Sequence, residues 1–138
     1  MAAIEGIVRE LECQKALSLL CSALDRGDNA EAAGFFTDDA VIVAPNGQEL
    51  AGPAARKFVL GRSAAIITRH LLTNVLVTLD GSERAHAEAY VHVYRVHREE
   101  PSKPSSQSVG ELSVDFRMTD VGWRVSRYRA TPFCEIAS

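Results

Sequence analysis

Residues 66–97 decide the fold: Ile-Ile-Thr-Arg-His-Leu-Leu-Thr-Asn-Val-Leu-Val-Thr-Leu-Asp-Gly-Ser-Glu-Arg-Ala-His-Ala-Glu-Ala-Tyr-Val-His-Val-Tyr-Arg-Val-His. Ile66 to Leu79 is long and rich in β-branched residues, Asp80-Gly81 is a hairpin signal, and Glu83 to His97 returns antiparallel. On the returning strand Ala87, Ala89, Val91 and Val93 share one face, while His86, Glu88, Tyr90, His92 and Tyr94 share the other. The first face is core and the second is the outer side of a sheet. On the outgoing strand His70, Leu72, Asn74 and Leu76 fall together. A two-residue turn sets His70 opposite Val91, and a four-residue loop sets it opposite Val93. Either register turns His70 toward the apolar side.

Working outward, residues 4–25 read as a helix without proline, with apolar positions at Ile7, Leu11, Leu17, Leu20 and Leu24. Arg26-Gly27-Asp28-Asn29 stops it, and a short helix from Ala30 to Phe36 follows the Asp28/Asn29 caps. Thr37-Asp38-Asp39 reads as a turn leading into a strand from Ala40 to Ala44, which Pro45-Asn46-Gly47 ends. A third helix opens at Gly52-Pro53 and runs to Arg62. Beyond the long hairpin, Glu99 to Ser108 reads as a mobile loop, and Val109–Met118 with Trp123–Arg129 as a last hairpin. Helices first and a long antiparallel sheet after them predict an α+β domain.

With 138 residues the chain forms one domain with a single sizeable core. A net charge of −3 without a Lys/Arg cluster argues against nucleic acid. No apolar run approaches the roughly 18 residues of a membrane span, so no membrane partner is expected. Glu5, Arg9, Glu10 and Glu12 break any export signal, and Cys13, Cys21 and Cys134 are odd in number. A soluble, cytoplasmic protein with free thiols is the expectation.

The strings Leu24-Asp25-Arg26-Gly27-Asp28 and Phe36-Thr37-Asp38-Asp39-Ala40 resemble the opening of the SnoaL-like branch of the nuclear transport factor 2-like superfamily. Gly52-Pro53, Arg69 to Asn74, Leu79-Asp80-Gly81 and Gly122-Trp123-Arg124 continue the resemblance in order. It covers residues 8–130 and implies an α+β cone, a curved, mainly antiparallel sheet wrapped around the N-terminal helices. Within it, Asp25 and His70 match by position the His–Asp pair of the scytalone dehydratase-like and dehydrochlorinase-like branch. The companions differ: Leu24 stands where the dehydratases have tyrosine, and Leu20 where the dehydrochlorinase has lysine. Ala44 stands where ketosteroid isomerases carry their aspartate base.

The implied chemistry needs no cofactor. A neutral His70 accepts a proton near neutral pH, and Asp25 on its other ring nitrogen fixes the tautomer, a pairing whose base contributes about 10²–10⁴-fold. The expected activity is a dehydratase-type lyase or an isomerase acting on a small apolar, aromatic or polycyclic molecule. Leu24, Phe36, Leu72, Asn74, Val91, Val93 and Phe116 are expected to line its pocket, with His97 at the mouth as a second acid/base. Arg62 reads first as a solvated cation, with capture of an anionic substrate as the lesser reading. No metal is expected, because His86 and His92 stand roughly 20 Å apart along a strand. The alternatives are a silent ligand-binding or dimerisation module, and an accessory subunit resembling the β subunit of ring-hydroxylating dioxygenases. The resemblance also implies a homo-oligomer, with a dimer expected across the outer sheet face.

Overall fold

The computed structural model describes residues 2–136. Helix α1 (Ala2–Arg26) and the short α2 (Asn29–Gly34) precede strands β1 (Phe36–Val43) and β2 (Glu49–Ala51). Helix α3 (Pro53–Leu60) leads into four long strands: β3 (Ile66–Asp80), β4 (Arg84–His97), β5 (Pro104–Thr119) and β6 (Gly122–Ile136). They form one six-stranded sheet in the order β2-β1-β6-β5-β4-β3. Only β1 and β6 run parallel among these neighbours, so the sheet is mixed; it curves without closing. The fold class is α+β, as the sequence reads. Among the described residues no helix is long and apolar enough to cross a membrane.

Four boundaries differ from the sequence reading. Thr37–Asp39 is not a turn before the strand but an irregular stretch within β1, where pairing with β6 shifts between Phe36 and Val41. The three residues of β2 pair with the end of β1, closing the Pro45–Gly47 turn into a small hairpin. Strand β5 already begins at Pro104, because β4 reaches far enough to pair Val96 with Pro104, so the loop is short. Strand β6 continues to Ile136 against the same extended β5.

The β3–β4 hairpin carries the site. Its connection is a three-residue loop, since Asp80 pairs with Arg84, and Gly81 takes the positive φ of 71° that the turn requires. Pairing then slips between Thr73 and Leu76, where Asn74 adopts a left-handed φ of 53°. This is a β-bulge. The loop and the bulge together set His70 opposite Val93. The bulge also reverses the side-chain phase: Thr68, His70 and Leu72 face inward below it, and Val75, Val77 and Leu79 above it. Asn74 and Leu76 consequently turn out to solvent, which corrects their assignment to the His70 face.

Helix α1 fills the concave side. Cys13, Leu17, Leu20, Cys21 and Ala23 are buried against Ala85, Ala87, Ala89, Val91 and Val93 of β4, Leu112, Val114 and Phe116 of β5, and Trp123 and Val125 of β6. Ile7 and Leu11, at the edge of that helical stripe, stay exposed. The helix ends in a Schellman cap: Asp28 N–H donates to Ala23 O (3.0 Å), Gly27 N–H donates to Leu24 O (3.1 Å), and Gly27 has φ 74°. Asp28 then caps α2 by accepting from Glu31 N–H at 3.1 Å.

Candidate active site

Asp25 lies two residues before the glycine that ends α1, so the cap fixes where its carboxylate emerges. Arg69 secures the same end, donating from Nη1 to Asp25 O (3.3 Å) and Thr68 O (2.7 Å). A cation is favoured there, where helix carbonyls lack partners. The carboxylate meets β3 in three bonds. Oδ1 faces His70 Nδ1 at 2.5 Å and accepts from the Thr68 hydroxyl at 2.9 Å, and Oδ2 accepts from His70 N–H at 3.0 Å. The side chains of His70 and Asp25 are 9% and 14% exposed.

These contacts determine protonation. Burial pushes the Asp25 carboxyl up, but the ring and backbone bonds from His70, the imidazole's charge and the Thr68 hydroxyl outweigh it and hold the group below the usual carboxylate range. An ionised carboxylate only accepts hydrogen bonds, so Nδ1 carries the ring hydrogen. When the imidazole is neutral, Nε2 is left with a lone pair, and no described residue bonds to it. The imidazole is therefore held in one tautomer and one orientation.

Further side chains lie around it. Thr68, only 6% exposed, accepts from Arg62 Nη2 at 3.3 Å while its own hydrogen goes to Asp25. Arg95 stands opposite Thr68 on β4 and donates to Ser108 Oγ at 3.0 Å. Tyr128 faces inward from β6, its ring edge-on to Phe36 at 6.2 Å between centroids. Burial raises the Tyr128 phenol far above its ordinary value, with Cys21 and Asp25 adding to the rise and Arg62 opposing it. Burial likewise drives the Cys21 thiol to about 12, Asp25 adding to the rise and Arg62 opposing it, so the thiol is an inert neighbour at neutral pH. Thr68 and Tyr128 went unnoticed in the sequence, and Arg62 was read first as a surface residue.

The lining residues separate into two groups. Leu24 precedes Asp25 on α1, and Val93 and Val91 stand opposite His70 and Leu72 on the core side of the sheet. Phe36 meets Tyr128 edge-on. Phe116 lies apart: it pairs with Ala85, eight residues of β4 from Val93 and so about 26 Å along the strand. It is a core residue under the other half of α1. Asn74 leaves the group through the bulge, and it lines an outer cleft of about 280 Å³ with Tyr90, Glu88 and Glu111. His97 sits exposed at the end of β4, about 13 Å along the strand from Val93. The clefts beside Asn74, Phe36, Leu71, Arg117 and Trp123 are lined by neither Asp25 nor His70.

A second histidine–carboxylate pair, His86 Nδ1 to Asp115 Oδ1 at 2.6 Å, lies on the outer face. Both side chains are 40% or more exposed, so it lacks the enclosure of the first. Among the described residues no cluster of three His, Cys, Asp or Glu side chains forms a metal cage.

A family model described as a SnoaL-like domain matches residues 7–129. The chain belongs to that family. Among solved structures, this SnoaL-like domain is similar to a proposed scytalone dehydratase from Novosphingobium aromaticivorans, with a TM-score of 0.88, 16% identity, and coverage of 99% of this chain and 91% of the other. A nuclear transport factor 2-like protein with a cystatin-like fold from the same organism gives a TM-score of 0.79 at 20% identity, covering 96% and 86%. A type 2 hexachlorocyclohexane dehydrochlorinase gives 0.78 at 14% identity, covering 97% and 91%. At these identities the likeness is one of fold; two of the three neighbours bear the names of elimination enzymes. No curated protein sequence matches the chain.

Proposed function

We propose that this SnoaL-like domain is a cofactor-independent lyase that removes water, or a comparable leaving group, from a small aromatic, polycyclic or otherwise largely apolar molecule. The observation that carries the reading is the 2.5 Å contact between His70 Nδ1 and Asp25 Oδ1, which leaves Nε2 of a neutral ring as its acceptor nitrogen. Neutral Nε2 takes the proton from carbon, and the C–H electron pair becomes the new double bond. The C–O bond breaks, and the departing hydroxide takes the proton back from the imidazolium as water. Asp25 stabilises the imidazolium between these steps. Every atom is accounted for, and His70 returns to its starting form.

The test is solvent-deuterium exchange and dehydration across a panel of β-hydroxy carbonyl compounds, with His70→Asn and Asp25→Asn as controls. Exchange in the parent protein that falls about 10²–10⁴-fold in His70→Asn supports the reading. Equal rates in both proteins overturn it.

One observation favours the silent-module alternative: the outer face opens a cleft of about 450 Å³ among Leu71, Tyr90, His92, Val109 and Phe133. On that reading a second copy of the chain covers Leu71, Tyr90 and Phe133, which are 46%, 52% and 73% exposed. Leu71→Glu then yields a monomer by light scattering, and an unchanged mass argues against that interface.

A further inference from the structure

We propose that Ser113, His86 and Asp115 form a second catalytic site on the outer face of the sheet, a serine esterase centre for short acyl esters whose alcohol part is neutral or cationic. It shares no residue with the His70–Asp25 pair and does not rest on the lyase reading.

Strand alternation and register place the three groups. His86 and Glu88 are two apart on β4, and Ser113 and Asp115 two apart on β5, so each pair shares a face. His86 stands directly opposite Asp115, and Glu88 opposite Ser113. Acid, imidazole and hydroxyl thus follow one another in the order that nucleophilic catalysis requires. Asp115 Oδ1 faces His86 Nδ1 at 2.6 Å, and His86 Nε2 faces Ser113 Oγ at 3.5 Å. A carboxylate only accepts, so Nδ1 carries the hydrogen, and the neutral ring offers Nε2 to the serine hydroxyl. The serine contact is long, as such contacts are before a substrate draws nucleophile and base together. Ser113 Oγ has no other partner among the described residues. Glu88 Oε1 lies 3.6 Å from Nε2 and favours the imidazolium that forms during the reaction.

The hydroxyl belongs to a cleft of about 280 Å³, which Ser113 lines together with Asn74, Leu76, Tyr90, Glu88 and Glu111. That volume suits a short acyl group, with Leu76 and Tyr90 as its apolar surface. Glu88 and Glu111 repel an anionic substrate. The β3 bulge brings Asn74 to the same cleft, and its side-chain amide has no partner among the described residues. Its NH₂ is free to receive the carbonyl oxygen as that atom gains negative charge.

Ser113 Oγ forms the bond to the ester carbonyl carbon while its proton passes to Nε2. The tetrahedral adduct collapses, the C–O bond to the alcohol breaks, and the departing oxygen takes the proton from Nε2. Water then attacks the acyl-serine, its proton passing through Nε2 to Ser113 Oγ, and the carboxylic acid leaves. Asp115 stabilises the imidazolium in both halves.

The test uses the full chain with 4-nitrophenyl acetate, followed by nitrophenolate absorbance and by intact and peptide mass. The parent protein is expected to release nitrophenolate in a burst stoichiometric with protein and to carry one acetyl group, on Ser113. Ser113→Ala abolishes the burst, and His86→Asn slows acylation about 10²–10⁴-fold. The anionic 4-nitrophenyl succinate is expected to react at least about 10-fold more slowly than the acetate; equal rates overturn the substrate class. Acetyl found on any other residue instead, a rate in the parent no higher than in Ser113→Ala, or a burst that survives His86→Asn overturns the site. A burst lost in His70→Asn but kept in Ser113→Ala places the chemistry at the other histidine and overturns it too. If a variant does not fold, a fluorophosphonate ester on the parent protein decides: phosphonylation of Ser113 supports the site, and its absence overturns it.

Discussion

Asp25→Asn keeps the shape of the side chain and removes its charge, which makes it the sharpest probe of the pair. The carboxylate accepts three bonds, from the Thr68 hydroxyl, His70 N–H and His70 Nδ1–H. An amide supplies one oxygen. If that oxygen occupies the Oδ2 position, its NH₂ faces Nδ1, which must become an acceptor, and the ring hydrogen moves to Nε2. If the oxygen occupies Oδ1, the NH₂ faces His70 N–H and leaves a buried donor unpaired. Bonds to a charged group are worth about 1.5–3 kcal/mol each, and an orphaned donor costs about 1–3 kcal/mol. Relief of carboxylate desolvation opposes part of this, so the net loss is about 1–2 kcal/mol. The folded-state pKa of Asp25 is depressed, so its contribution is present above the unfolded value of about 3.9 and is lost as pH falls through the folded value. The stability gap between parent and variant, measured by urea denaturation, therefore shrinks below about pH 4. In the better-accommodated orientation the base nitrogen is blocked, and a rate loss of about 10⁴-fold is expected by comparison with the equivalent change in a Ser-His-Asp triad. Nitrogen-15 NMR of the imidazole reads the tautomer without any substrate. A gap that stays constant from neutral to strongly acidic pH, with hydrogen still on Nδ1, refutes the reasoning.

Thr68→Val deletes the hydroxyl between Arg62 and Asp25 and should cost about 1–2 kcal/mol. Because the Asp25 pKa then moves back up, the drop in stability between neutral and acidic pH becomes smaller, which acid titration of unfolding checks. At the bulge, Asn74→Val forces a β-branched residue into left-handed φ and should destabilise by about 1–2 kcal/mol, whereas Asn74→Gly should change stability by less than about 1 kcal/mol; equal urea midpoints for the two contradict the assignment. Gly110→Ala places a Cβ 2.7 Å from the Thr131 carbonyl oxygen, and a loss of about 1–3 kcal/mol should appear as a lower melting temperature.

The long hairpin was legible because alternation of alanine and valine with charged and aromatic residues has only one reading as a half-buried strand. The His70–Val93 pairing was among the registers considered, but reached through a four-residue loop; the protein uses a three-residue loop and a bulge, which together give the same partner. Asn74 was misplaced for that reason, and its type was the available signal, asparagine being tolerant of left-handed backbone. Tyr128 was hidden by a similar slip. Strict alternation from Trp123 and Val125 points Arg127 and Arg129 inward, but a register shift opposite Asp115 and Phe116 turns Tyr128 and Ala130 to the core instead. Arg62 follows a helix and precedes a strand, and nothing local shows that Asn29, remote in sequence, anchors it. Asp25 lay at the edge of the helical stripe, where a wheel does not distinguish solvent from interior. The cap at Gly27 and the partners on β3 decide that, and the partners are non-local.

The parallel pairing of β1 with β6 sets the order in which the molecule is built. During synthesis the β3–β4–β5 meander forms from adjacent segments by simple hairpins, and β1 pairs with β2, but the other edge of β1 has no partner until β6 exists. Until then the edge of β1 has unsatisfied backbone groups, and Tyr128 has yet to reach the His70 side of the cone. Such distant pairing closes a large loop late, and refolding in milliseconds to seconds is expected, with β6 docking last in stopped-flow fluorescence of Trp123. The nascent protein can bring His70 and Asp25 together before the last strand arrives, but Tyr128 joins that side of the sheet only as the sheet is completed.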